Sequence, residues 1–148
     1  MKSRKILLVE DNPDDEALTQ RALRKNKILN KVTVAHDGAE ALELLFTDGS
    51  DESSPGLILL DLKLPKIDGL EVLRRLRADE RTQFIPVVVL TSSKLDEDII
   101  ASYRNGANGY VRKPVKFAEF AEAVSTLGMF WLLLNVPVPI PAGGRIEN

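Results

Sequence analysis

Leu57-Ile58-Leu59-Leu60-Asp61-Leu62-Lys63-Leu64-Pro65-Lys66-Ile67-Asp68-Gly69 is an apolar run that ends in an acid and leaves through a turn. Its opening residues, Leu57 to Leu60, show no polar alternation, so they read as a strand covered on both faces, a property of parallel sheets. A carboxylate at the carboxyl end of such a strand sits where open α/β sheets place their chemistry. The first apolar run, Lys5-Ile6-Leu7-Leu8-Val9, ends the same way, in Glu10-Asp11. Two strands that both end in acids are hard to explain by stability alone. Three neighbouring carboxylates repel one another, and they make sense mainly around a cation.

Outward from these two strands the chain alternates. Asp11-Asn12-Pro13-Asp14-Asp15-Glu16 supplies helix caps, a helix-compatible Pro and a negative first turn. Ala17, Leu18, Ala22 and Leu23 then recur at helical spacing to about Lys25. Val32-Thr33-Val34-Ala35 is a short β-branched strand. Asp37-Gly38 turns into a helix over Ala39 to Phe46. Thr47 to Gly56 is a polar surface loop. After Asp61, Gly69 to Arg77 reads as a helix with Leu70, Val72, Leu73 and Leu76 on its apolar side. Pro86 to Leu90 is another buried strand, and Asp96 to Asn105 another helix, stopped by Asn105-Gly106. Gly109-Tyr110-Val111 is a short fifth strand. Lys113-Pro114 breaks the chain before a longer helix from about Lys116. Five β-α units with near-continuous apolar strands predict an α/β fold, a doubly wound five-stranded parallel sheet with helices on both faces.

Bulk properties narrow the function. At 148 residues and 44% hydrophobic content the chain supports one real core. A net charge of −2 gives no reason to expect nucleic acid or an anionic membrane as partner. With no cysteine, disulfides, thiolate zinc sites and cysteine nucleophiles are excluded, which fits a reducing cytoplasm. Met1-Lys2-Ser3-Arg4-Lys5 leads into no signal-peptide core. No stretch reaches the roughly 18 apolar residues of a membrane helix. A cytoplasmic protein is therefore expected. The single histidine, His36, reads as an exposed loop residue. Arg74, Arg75 and Arg77 read as a solvated helix face.

If the first and third strands are neighbours, Glu10, Asp11 and Asp61 converge. A hard divalent ion takes oxygen ligands, and Mg²⁺ binds through one or two carboxylates plus waters and a phosphate. Two further strand ends add to this site. Thr91 follows the fourth strand, where a hydroxyl and free N–H groups can hold phosphoryl oxygens. Lys113 follows the fifth, where it can pair as a point charge with a carboxylate or phosphate. Taken singly, Thr91 reads as a turn residue, Lys113 as surface, and Tyr110 as a half-buried aromatic on a short strand.

Together these segments resemble the receiver domain of two-component response regulators. The motifs are Ile6-Leu7-Leu8-Val9-Glu10-Asp11-Asn12, Asp37-Gly38-Ala39-Glu40-Ala41, Leu59 to Gly69, Pro86-Val87-Val88-Val89-Leu90-Thr91-Ser92, and Gly106 to Pro114, in order over roughly residues 4 to 127. The resemblance implies a flavodoxin-like (βα)5 receiver fold with strand order 2-1-3-4-5 and an extended final helix. It implies that Asp61 is a phosphoacceptor charged by a histidine kinase, with signalling through changed protein–protein contacts rather than enzymatic turnover. Mg²⁺ would be held by Asp11, Asp61 and the backbone carbonyl of Lys63, with Glu10 assisting directly or through water. Thr91 would bond the phosphoryl group and act as a switch with Tyr110. Lys113 would pair with the phosphoryl group, and the Lys113-Pro114 peptide would be cis. A phosphatase of the haloacid dehalogenase type is disfavoured, because Lys63 stands where that chemistry wants a second Asp.

Residues 1–127 are thus expected to form the receiver domain. Residues 128–136, with Phe130 and Trp131, continue the last helix as an apolar extension that must be covered, either by folding back or by a homodimer contact. Residues 137–148 read as a flexible Pro-rich tail. The long loop before Asp61, the Leu64-to-Gly69 segment and Phe130-Trp131 are similar to regulators of bacterial phytochrome kinases.

Overall fold

The computed structural model describes residues 5–25, 30–46 and 54–113, together with positions 118, 119, 122 and 126. The order is β1 (Ile6–Val9), α1 (Pro13–Lys25), β2 (Val32–Ala35), α2 (Gly38–Phe46), β3 (Leu57–Leu60), α3 (Gly69–Ala78), β4 (Val87–Thr91), α4 (Asp96–Arg104) and β5 (Gly109–Arg112). The strands form one sheet in the order β2-β1-β3-β4-β5, every neighbouring pair parallel. The expected doubly wound sheet is therefore the observed one. Boundaries differ from the sequence reading by about one residue, most usefully at Thr91, which closes β4 instead of following it. Ala118, Glu119, Glu122 and Thr126 are helical, where a final helix was expected. Its extension and the tail, residues 128–136 and 137–148, lie outside the described residues.

The missing polar alternation in the strands has its cause in two cores. On one face Leu7, Val9, Ile58, Leu60 and Val87 pack against Ala41, Leu42, Val72, Leu73 and Leu76 of α2 and α3. On the other, Ile6, Leu8, Leu57, Leu59, Val88 and Leu90 pack against Ala22 and Leu23 of α1. Successive residues of a strand face opposite ways, so a strand buried on both faces must be apolar throughout. Each large aliphatic side chain so buried contributes roughly 1.5–3 kcal/mol.

Short polar side chains start α1, α2 and α3. Asn12 Oδ1 accepts the N–H groups of Asp14 and Asp15 at 2.9 and 3.1 Å. Asp37 Oδ1 accepts the Glu40 N–H at 2.8 Å, and Asp68 Oδ1 accepts the Glu71 N–H at 3.0 Å. These caps satisfy N–H groups that a helix start otherwise leaves open. Two of the helix starts press on the loop after β3. A Cβ on Gly69 would lie 2.2 Å from the Asp61 carbonyl oxygen, and one on Gly38 would lie 1.8 Å from that of Ile67. Only glycine lets α2 and α3 close on the segment that carries Asp61.

One charged residue departs from the expected solvated face. Arg74 and Arg75 are exposed and pair with Glu71. Arg77 instead turns inward from the end of α3. Its guanidinium donates to the carbonyls of Gly106 (2.9 Å), Gln83 (3.0 Å) and Ile85 (2.8 Å) and to Asn108 Oδ1 (2.9 Å). Asn108 Oδ1 also accepts the Val87 N–H at 2.8 Å. This clamp ties the end of α3 to the starts of β4 and β5, and burial lowers the Arg77 pKa.

Candidate functional site

Register brings the acids together. Val9 pairs with Leu60 across β1 and β3, so the residues that follow, Glu10 and Asp61, emerge side by side. The Asp61 N–H donates to the Val9 carbonyl at 3.1 Å, extending the ladder to the acid itself. Thr91 pairs with Arg112 across β4 and β5, and the Lys113 N–H donates to the Thr91 carbonyl at 2.8 Å. Glu10, Asp61, Thr91 and Lys113 are therefore consecutive features along one edge of the sheet.

The Lys113 ammonium occupies the middle of this edge, its side chain only 7% exposed. It donates to Glu10 Oε1 at 2.5 Å, Asp15 Oδ2 at 2.9 Å and Asp61 Oδ2 at 3.0 Å. An ammonium has three N–H donors, and here each meets a carboxylate. Burial works against the ammonium, but the bonds to Glu10 and Asp15 and the charge of Asp61 outweigh it and raise the Lys113 pKa. Asp61 is also pushed up by burial, yet the Lys113 charge and hydrogen bond, with help from the Thr91 hydroxyl, hold its carboxyl below the usual range. Asp61 is thus an ionised carboxylate in a nearly dry site. Glu10 goes the other way: burial, with repulsion from Asp61, raises it to about 7 despite Lys113. Two adjacent carboxylates whose environments push them apart mark a place built for charge handling.

One oxygen from each of Glu10, Asp11 and Asp61 lies within 4.8 Å of the others. Around Mg²⁺, with bonds near 2.1 Å, opposite ligand oxygens are about 4.2 Å apart and adjacent ones about 3 Å. The three acids need only a small inward movement to share such an ion. The set is all oxygen, which favours a hard cation over zinc or copper. Glu10 and Asp61 are buried while Asp11 is exposed, so the cluster opens toward solvent on the Asp11 side.

The β4–α4 loop completes the edge. Thr91 is buried, and its hydroxyl oxygen accepts the Ser93 N–H at 3.4 Å. The Tyr110 hydroxyl donates to the Ser93 carbonyl at 3.1 Å, which holds the half-buried ring against this loop. Lys63 is exposed, and its N–H points at Asp61 Oδ1 from 3.4 Å. Pro114 lies outside the described residues, and with it the Lys113-Pro114 peptide bond; so do Phe130 and Trp131. His36 is exposed, as expected, and its Nε2 lies 2.8 Å from Glu16 Oε1. Glu10, Asp11, Asp61, Thr91 and Lys113, all singled out in the sequence, lie together at the carboxyl ends of the strands. Sequence reasoning missed Asp15 as a partner of Lys113. Ser93 also escaped it, since no motif singled out a second serine after Thr91.

Five parallel strands with an acid cluster, a hydroxyl and a lysine at their carboxyl ends define a receiver, and residues 6–125 match the response regulator receiver domain family. The chain belongs to that family. It is 41% identical over 131 residues to the probable methanogenesis regulatory protein FilR2 of Methanothrix harundinacea, covering 88% of this chain and 84% of that one. It is 41% identical to the response regulator Rcp1 of Synechocystis, over 86% of this chain and 88% of Rcp1. The Mn²⁺-bound structure of Rcp1 superposes with a TM-score of 0.82 at 38% identity, covering 92% of this chain and 99% of Rcp1's. The phosphorylated cyanobacterial phytochrome response regulator RcpA superposes with a TM-score of 0.85 at 39% identity, over 92% and 99% of the two chains. No helix among the described residues is long and apolar enough to cross a membrane.

Proposed function

We propose that the protein is a response regulator that takes a phosphoryl group onto Asp61 from a histidine kinase. The observation that carries this reading is the convergence of an ionised, buried Asp61 with Lys113, Thr91 and two further carboxylates at one sheet edge. An Asp61 oxygen attacks phosphorus, the phosphorus–nitrogen bond of a phosphohistidine breaks, and the imidazole leaves with the bonding pair and takes up a proton. Asp11, Asp61 and the Lys63 carbonyl would hold Mg²⁺, with Glu10 assisting directly or through water, and the ion would supply positive charge to offset that of the phosphoryl group. Lys113 shifts one N–H from Asp61 to the phosphoryl group, and the Thr91 hydroxyl donates to a second oxygen. The chain is a phosphoacceptor and does not turn over a substrate.

Readout passes through Thr91. When its hydroxyl turns to the phosphoryl group, it gives up the Ser93 N–H. The loop that holds the Tyr110 hydroxyl is then free to move, and the ring can turn inward. Phosphorylation thereby shifts a population between two arrangements. RcpA, a phytochrome response regulator, supports pairing with a phytochrome-type kinase. Phe130 and Trp131 form a homodimer contact, the Lys113-Pro114 peptide is cis, and an unidentified downstream protein reads the changed face. In acetyl phosphate with Mg²⁺ the protein should gain one phosphoryl mass increment. EDTA prevents this. An increment that survives EDTA contradicts the metal assignment. Trp131→Ala should run as a monomer in light scattering and wild type as a dimer; equal masses overturn the dimer contact.

A further inference from the structure

Three acids open α1, and helix-terminus electrostatics explains all three equally well. The structure separates them. Asp14 is exposed, Glu16 meets His36, and Asp15 alone reaches Lys113, with Oδ2 at 2.9 Å. Its backbone is fixed from both sides. The Asp15 N–H donates to Asn12 Oδ1 at 3.1 Å, and the fully buried Thr19 donates its hydroxyl to the Asp15 carbonyl at 2.9 Å.

We propose that Asp15 is a positioning residue, the fixed pivot on which Lys113 swings from the Asp61 carboxylate to the phosphoryl group. The inference rests on the phosphoacceptor reading of Asp61. Lys113 has three carboxylate partners, and two of them, Glu10 and Asp61, belong to the metal cluster. Both change when the site is loaded. Phosphorylation turns the Asp61 carboxylate into an acyl phosphate whose negative charge lies on the phosphoryl oxygens, and a cation would draw on Glu10. Asp15 stands outside that cluster, so its hold on Lys113 is the same before and after transfer. It keeps one N–H occupied and leaves the others aimed along the sheet edge, where the phosphoryl oxygens arrive. Without it the ammonium, on a flexible four-carbon stem, collapses onto Glu10.

The test uses the full chain with acetyl phosphate, whose phosphorus–oxygen bond breaks to release acetate as Asp61 is phosphorylated. Labelling is followed by intact mass, at Mg²⁺ concentrations that saturate each variant. Asp15→Ala slows labelling about tenfold, the size of effect typical when a supporting partner of a site is removed. Asp15→Asn keeps an acceptor oxygen and recovers part of the rate. In a Lys113→Ala background, Asp15→Ala has no further effect, because the two residues act as one unit. A rate for Asp15→Ala within twofold of wild type overturns the pivot, and so do losses that multiply in the double variant. If wild type itself takes no label, it is the Asp61 reading that fails.

Discussion

The two ends of the sheet each bury a cation, and they satisfy it in opposite ways. At the amino ends of β4 and β5, Arg77 is met by neutral oxygens, the carbonyls of Gly106, Gln83 and Ile85 and the amide of Asn108. At the carboxyl ends, Lys113 is met by the carboxylates of Glu10, Asp15 and Asp61. On the proposed phosphoacceptor reading, the difference is functional. Backbone carbonyls cannot leave, so the Arg77 cluster is a permanent fastening. Carboxylates can take a proton, a metal ion or a phosphoryl group, so the Lys113 cluster can exchange partners without unfolding. The fork of a guanidinium suits fixed, many-pointed bonding, and the compact ammonium suits a charge that must move.

Substitutions can break that contrast. Lys113→Met leaves three carboxylates facing one another, and should cost about 3–5 kcal/mol at neutral pH, the range for a buried pair that loses one member. Urea denaturation measures it, and phosphoryl labelling should fall to a small residue. Arg77→Met strands carbonyls that retain some access to water, and should cost about 2 kcal/mol. The folded protein should still take label at close to the wild-type rate. If Arg77→Met impairs labelling as much as Lys113→Met does, the two ends are not functionally distinct.

A smaller effect concerns pH in the presence of a chelator. Glu10 titrates at about 7 in the folded chain, against an ordinary value of 4.5. Between these values the native state holds a proton that the unfolded chain has released, so the contribution of Glu10 to stability falls as pH rises through this window. Asp61 has the opposite sign: its folded pKa is lowered from 3.8, so its contribution is present above that value and lost as pH falls below it. Glu10→Gln should flatten the slope between 4.5 and 7 and leave the acid limb in place. The smallest effect is at the surface. Glu71 titrates at about 2 beside the exposed Arg74 and Arg75, but the trio lies at the surface, and solvent screens it. Glu71→Gln should leave the urea midpoint unchanged within scatter.

Much of this was legible in the sequence where local rules and tertiary demands agree. Unalternating strands such as Leu57 to Leu60 could only be covered on both faces, and that fixed the sheet. An acid directly after such a strand has few places to be, so Glu10 and Asp61 were readable as neighbours once β1 and β3 were adjacent. What stayed hidden depends on helix phase. Asp14, Asp15 and Glu16 are alike as a sequence, and only the rotation of α1 aims Asp15 at Lys113. Arg74, Arg75 and Arg77 are alike too, and only the end of α3 against Gly106 turns Arg77 inward. The left-handed φ of 98° at Gly106 passes its chain so close that a Cβ there would lie 2.7 Å from Arg77 Cγ.

The central claim is that Asp61 receives a phosphoryl group. Wild type and Asp61→Asn, incubated side by side with Mg²⁺ and acetyl phosphate, test it by intact mass and peptide mapping. The account predicts one phosphoryl increment on wild type, mapped to the peptide that contains Asp61, and none on Asp61→Asn. An increment of equal size on Asp61→Asn, or none on a folded wild type, would contradict it.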